Sequence, residues 1–162
     1  MKNIIRKKLV LWTLCLSLAL LASITYSHCQ IPCGIYNDQT RFDIIAENIT
    51  TIEKSMKLIT ELSSEEKPNL NQIVRWVENK EKHADDISHI VTYYFLAQRI
   101  KPADKTAAEQ YDQYVKKLTL LHEMLIYSMK AKQSTDLANV EKLKTLLADF
   151  QNAYSAKPTH EH

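Results

Sequence analysis

Glycine is all but missing from this chain. Gly34 is the only one in 162 residues, and just four prolines accompany it. Such scarcity argues against a fold made of many tight β-turns. Cysteine is sparse as well: Cys15 lies inside an N-terminal apolar run, which leaves Cys29 and Cys33. The Cys-x-x-Cys-His signature of covalent c-type haem attachment is absent. Asp86-x-x-His89 has no second pair to answer it, which excludes the di-iron carboxylate site that some helical bundles carry. His83 and His89 are too far round one helix to share an ion, so His83 and His122 read as ordinary surface or interface histidines. No excess of basic charge exists either, the formal net charge being +2, so nucleic acid is not an expected partner.

What is present begins with a leader. Lys2, Arg6, Lys7 and Lys8 precede an uncharged apolar run from Leu9 to Ile24, and Thr25 and Ser27 stand at the small-residue positions of a cleavage site. Residues 1–27 are therefore expected to be a signal peptide or cleaved extension, with a retained membrane anchor as the alternative. Loss of those four cations takes the formal charge from +2 to −2, so no global field would draw an anion inward. The expected compartment is periplasmic or extracellular, or cytoplasmic if the extension is simply clipped.

The remaining chain, about 135 residues, is one domain in size. Phe42, Ile45, Ile49, Ile52, Met56 and Ile59 step by three and four, which predicts a helix from about Asp38, as its cap, to Leu62. Asn69 and Gln72 form the pattern of a capping box for a second helix. Its stripe is Leu70, Ile73, Val77, Ala84, Ile87, Val91 and Tyr94, and Lys101-Pro102 stops it after about 30 residues, roughly 45 Å. A third helix is expected from about Asp104 to Lys132 on Ala108, Tyr111, Val115, Leu118, Leu121 and Leu125. A fourth, from about Asp136 to Ala156, carries Leu137, Val140, Leu143, Leu147, Phe150 and Tyr154. Short connections make residues 38–156 an all-α, four-helix up-down bundle, followed by a frayed tail over 157–162 whose histidines read as chance.

The chemistry-bearing stretch lies between leader and bundle, in His28-Cys29-Gln30-Ile31-Pro32-Cys33-Gly34-Ile35-Tyr36. Cleavage after Ser27 would create a free amine on His28. That amine and the Cys29 amide nitrogen can close one five-membered chelate ring on a metal, and the Cys29 amide and thiolate a second. Cys33, brought back by a turn, supplies another thiolate and completes a plane of two nitrogens and two sulfurs, with the His28 imidazole free to reach an axial position. Planar coordination suits Ni(II) or Cu(II) better than tetrahedral Zn(II). The plainer reading of the same cysteines is a Cys29–Cys33 disulfide loop, as exported cysteines usually pair.

The pattern H-C-x-x-P-C-G-x-Y resembles the nickel hook of nickel-containing superoxide dismutases, matched by His28, Cys29, Pro32, Cys33, Gly34 and Tyr36. The helical body with its Tyr94-Phe95 pair resembles that family as well. The resemblance implies an enzyme that disproportionates superoxide by Ni(II)/Ni(III) cycling, one nickel per subunit, with His28, Cys29 and Cys33 as metal ligands, and assembly as a homohexamer. It implies that Tyr36 closes over the open face of the metal and that Tyr94 lies near the same site. It implies an acid on the first helix that orients the axial imidazole, here Asp43, with Glu47 as the other choice. The arginine that would pair with this acid is replaced near Asn79, and Lys80 is the available substitute. Expected partners are superoxide, a leader-processing peptidase and further copies of the chain, with membrane contact only through an uncleaved leader. The alternative function is an exported helical interaction or metal-carrier protein with a Cys29–Cys33 disulfide.

Overall fold

A computed structural model describes residues 37–155. Four helices follow one another: α1 (Asp38–Ser63), α2 (Leu70–His89), α3 (Ala108–Gln133) and α4 (Leu137–Ser155). The helix after His89 does not stop but widens, and Ile90–Arg99 continues α2 as a π-wound segment. Each helix packs on its sequence neighbour, and α1 also packs on α4, which closes the ring of an up-down bundle. Among the described residues there is no strand, and no helix is long and apolar enough to cross a membrane.

Local chemistry accounts for the helix ends. Asn37, not Asp38, caps α1: its Oδ1 accepts the Gln39 N–H at 2.9 Å. Asp38 is already helical, and its carboxylate is used elsewhere. Asn69 Oδ1 accepts from the Gln72 N–H at 3.2 Å, and Asp136 Oδ1 accepts from the Ala138 N–H at 3.0 Å, so both open their helices as caps. The third helix begins at Ala108, later than the expected start near Asp104. Asp104 Oδ1 instead accepts from both the backbone N–H and the hydroxyl of Thr106, each at 2.8 Å, in a turn that precedes the helix.

Every member of the α1 stripe is buried, from Phe42 to Ile59. The second stripe divides. Ala84, Ile87, Val91 and Tyr94 are buried, whereas Leu70 is 70 % exposed. Lys80 explains the division. Its ammonium meets the carbonyls of Ala131 (2.7 Å) and Ser134 (3.2 Å), and also that of Lys132, so α3 ends level with Lys80. The turns of α2 ahead of Lys80 then have α1 beside them, with Asn79 Nδ2 donating to Ser55 Oγ at 3.0 Å. In α3 and α4 the residues nearest the helix starts, Ala108, Val115 and Leu137, are exposed, while Leu121, Val140, Leu143, Leu147 and Phe150 are buried.

The π winding has a sequence correlate. Ile90-Val91 and Tyr94-Phe95 are buried in adjacent pairs four residues apart, and Gln98-Arg99 follows at the same interval. A wider turn, closed at its end by the Ile100 N–H to Phe95 carbonyl bond of 3.0 Å, stacks such pairs on one face. Arg99 is thereby delivered to Tyr94.

Candidate metal centre and the helix end that carries it

The expected ligands His28, Cys29 and Cys33, and the expected closing phenol Tyr36, lie outside the described residues. So do the leader, the hook up to Tyr36 and the residues from 156 onward. The hook's root is described, however: Tyr36 runs directly into Asn37 and Asp38 at the start of α1. In an up-down bundle that end also collects the π segment of α2 and the end of α4.

An aromatic floor fills this end. Phe42, Phe95 and Phe150 meet at ring-centroid separations of 5.1 Å, 5.6 Å and 4.9 Å, and Tyr154 packs edge-on to Phe42 and Phe95, 5.7 Å from each. A polar group sits on that floor. The Tyr94 hydroxyl donates to Asp38 Oδ1 and accepts from Arg99 Nη2 at 2.9 Å, while the Tyr154 hydroxyl donates to Asp38 Oδ2 at 2.8 Å. Arg99 Nε lies 2.9 Å from Asp38 Oδ1 as an ion pair, with its N–H off the hydrogen-bond line. The guanidiniums of Arg41 and Arg99 stand 5.1 Å and 4.9 Å from the Tyr94 ring centroid.

Titration follows from these contacts. Burial pushes the Asp38 carboxyl upward, but the hydrogen bonds from Tyr94 and Tyr154 and the Arg99 charge outweigh it, leaving the group below the usual carboxylate range. Tyr94 is pushed up by burial and by its bond to Asp38, and Tyr154 is pushed well above the ordinary phenol range for the same two reasons. Both phenols stay protonated through neutral pH.

The remaining predicted residues are placed as follows. Tyr94 is 2 % exposed, within the α2 core stripe, with its hydroxyl turned to the root of the hook. Asp43 is exposed on α1 and accepts from Gln39 Nε2 at 2.8 Å, so Asp43 and Tyr94 occupy different environments. Glu47 is exposed too. Lys80 is not the substitute partner for the acid. Its neighbour Asn79 sits against Ser55, twelve residues or about 18 Å along α1 from Asp43. Its charge is taken up by the last carbonyls of α3. His83 is half-buried between α1 and α2, with Nδ1 2.6 Å from Asn48 Oδ1, and His122 is exposed.

Sequence reasoning missed Asp38, Arg99 and Tyr154. One local signal was available: Asn37 and Asp38 are both good caps, and a helix start needs only one. Among the described residues no group of three or more His, Cys, Asp or Glu side chains could hold a metal ion. Were the chain to begin at His28, the expected ligands His28, Cys29 and Cys33 would offer two thiolates with imidazole, amine and amide nitrogens, a set that suits nickel.

These observations define an all-α four-helix bundle preceded in sequence by a short segment that contains Cys29 and Cys33. A family model described as nickel-containing superoxide dismutase matches residues 23–157, a range that takes in His28–Tyr36 and all four helices. The chain belongs to that family and is a nickel-dependent superoxide dismutase, an oxidoreductase with superoxide as its substrate. A search of curated proteins returned no match, and a search of solved structures returned none.

Proposed function

We propose that the enzyme works through its processed N-terminus, with one nickel per chain held by the His28 amine and imidazole, the Cys29 amide and thiolate, and the Cys33 thiolate. The observation that carries this reading is the H-C-x-x-P-C-G-x-Y stretch standing directly behind an export-type leader, inside the range matched by the family model. Nickel bound there supplies one-electron chemistry between Ni(II) and Ni(III), so that one superoxide leaves as oxygen and a second, with two protons, as hydrogen peroxide. Everything else falls to the polypeptide.

Cleavage after Ser27 by a peptidase turns an internal amide into an amine donor. Pro32 and Gly34 would shape the turn that lets Cys33 reach the same metal as Cys29. Asp43 accepts a hydrogen bond from the His28 imidazole and fixes its orientation. Tyr36 covers the approach and excludes ligands larger than superoxide. Tyr94 lies near the same site and keeps its hydroxyl proton, which it donates to Asp38. Export directed by the leader, its removal, and assembly into homohexamers complete the reading.

The test places one extra alanine ahead of His28 in an otherwise mature chain. The terminal amine is then no longer on the histidine, and dismutase activity is expected to fall to background while the helical circular dichroism is unchanged. An extended chain with full activity refutes the amine as a ligand.

A further inference from the structure

Asp38 makes a set of contacts that its place in the helix does not require. Asn37 already caps α1, so the carboxylate beside it is free for other work. It gathers three groups from two other elements: Tyr94 and Arg99 from the π-wound end of α2, and Tyr154 from the last turn of α4. Sequence separations of 56 and 116 residues are closed on one side chain. The first turn of α1 suits an anion, because the unpaired N–H groups and helix dipole there favour negative charge.

The consequence falls on Tyr94. Its hydroxyl proton is directed at Asp38, and Arg99 Nη2 donates to the same oxygen at 2.9 Å. With a donor and an acceptor direction both assigned, the C–O–H torsion is set, and the guanidiniums of Arg41 and Arg99 both stand close to the ring. Asp38 is also two residues beyond Tyr36 in the chain and five beyond Cys33. One carboxylate therefore orients a phenol and ties the first turn of α1 to the ends of α2 and α4.

We propose that Asp38 is a positioning residue for the dismutase reaction, which holds the Tyr94 phenol and Arg99 in fixed orientation at the bundle end from which the hook departs. This rests on the reading that the segment from His28 carries the nickel. Asp38 acts through Tyr94 and Arg99; it is not itself placed on substrate. Among the described residues, the charged and titratable groups around Tyr94 include Asp38 and Arg41 from α1, Arg99 from its own element, and Tyr154 from α4 across the shared carboxylate.

The test compares the mature nickel-loaded protein with its Asp38→Asn and Asp38→Glu variants. Three quantities are read: bound nickel, tyrosinate absorbance against pH, and kcat/KM against pH. Asp38→Asn is expected to keep its nickel and to bring two phenol ionisations down by about one pH unit towards the ordinary value. Adding Tyr94→Phe to it should remove one of those two. The rate should drop about tenfold, and its alkaline limb should move with the phenols, since a tyrosinate there repels an anionic substrate. Asp38→Glu, which keeps the charge on a longer arm, should recover part of both effects. If Asp38→Asn does not fold, the glutamate variant carries the comparison: a displaced alkaline limb supports the proposal and an unmoved one overturns it. A nickel-loaded Asp38→Asn protein with the wild-type rate and pH profile overturns it even if that protein melts earlier. A phenol titration that does not move overturns it as well. A wild-type protein that binds no nickel defeats the reading of the hook, and Asp38's part in the reaction with it. The phenol titration, which needs no metal, tells that failure from a missing Asp38–Tyr94 contact.

Discussion

Replacing Lys80 by methionine keeps the aliphatic stem and removes the ammonium that binds the end of α3. The native side chain is 3 % exposed, and its Nζ reaches the carbonyls of Ala131, Lys132 and Ser134. A hydrogen bond to a charged group contributes about 1.5–3 kcal/mol, but these three share one ammonium. The native state also bears the desolvation of that charge, which methionine does not. The Lys132 and Ser134 carbonyls are only half-buried and can turn to water. A net loss near one such bond, about 2 kcal/mol, is the reasonable expectation, which for a domain of this size lowers Tm by about 6–12 °C. The assay is a thermal melt followed by circular dichroism, with nickel content and dismutase rate measured at 25 °C. Because Lys80 lies about 18 Å along the bundle from Asp43, nickel and rate should stay at wild-type values. An unchanged or raised Tm would show that the helix-end contact contributes nothing. A variant with wild-type Tm and bound nickel but a rate lost more than tenfold would return Lys80 to the metal site.

Three further expectations follow from the geometry. Asp38, with its lowered pKa, stabilises the fold above its unfolded value near 4 and loses that contribution as pH falls through the folded value. Tyr94 and Tyr154, with raised values, stabilise below about 10 and lose their contribution as pH rises further, so Tm plotted against pH should fall off at both ends, and the Tyr94→Phe, Tyr154→Phe double variant should lose the alkaline fall. Cys29→Ser and Cys33→Ser should each abolish nickel binding, measured by metal analysis, yet leave the helical signal intact, because the bundle has a core of its own in which a buried isoleucine such as Ile45 or Ile52 contributes about 1.5–3 kcal/mol. Asn37→Ala should cost about 1 kcal/mol in denaturant melts, since Asn37 Oδ1 serves an otherwise orphaned N–H at the start of α1; no change would mean that Asp38 takes over the cap.

The residues that were legible in the sequence are those whose meaning is local. The α1 stripe from Phe42 to Ile59 repeats at three and four residues, and each member is buried. The hook pattern could be seen for the same reason, since its elements lie within nine consecutive residues. The end of α2 was not legible. Pairs four residues apart, Ile90-Val91 and Tyr94-Phe95, satisfy an ordinary helix as readily as a π-wound one, and the choice is made by packing. Asp104 was expected to start the third helix, but its carboxylate is used in the turn that precedes it. Lys80 was misassigned because sequence gives a residue's position along its own helix and not its level on a neighbour. Only the bond from Asn79 to Ser55 and those from Lys80 to α3 set that level. Asp38, Arg99 and Tyr154 escaped notice on the same ground: three elements must assemble before one carboxylate can hold them.

The central claim is that proteolysis makes His28 a chain end able to bind nickel with Cys29 and Cys33. Intact-mass measurement on protein purified from its native host, in buffer that preserves bound metal, tests it directly. The expected result is a chain beginning at His28 and carrying one nickel. A chain beginning at any other residue, or a metal-free chain two hydrogens lighter from a Cys29–Cys33 disulfide, would contradict it.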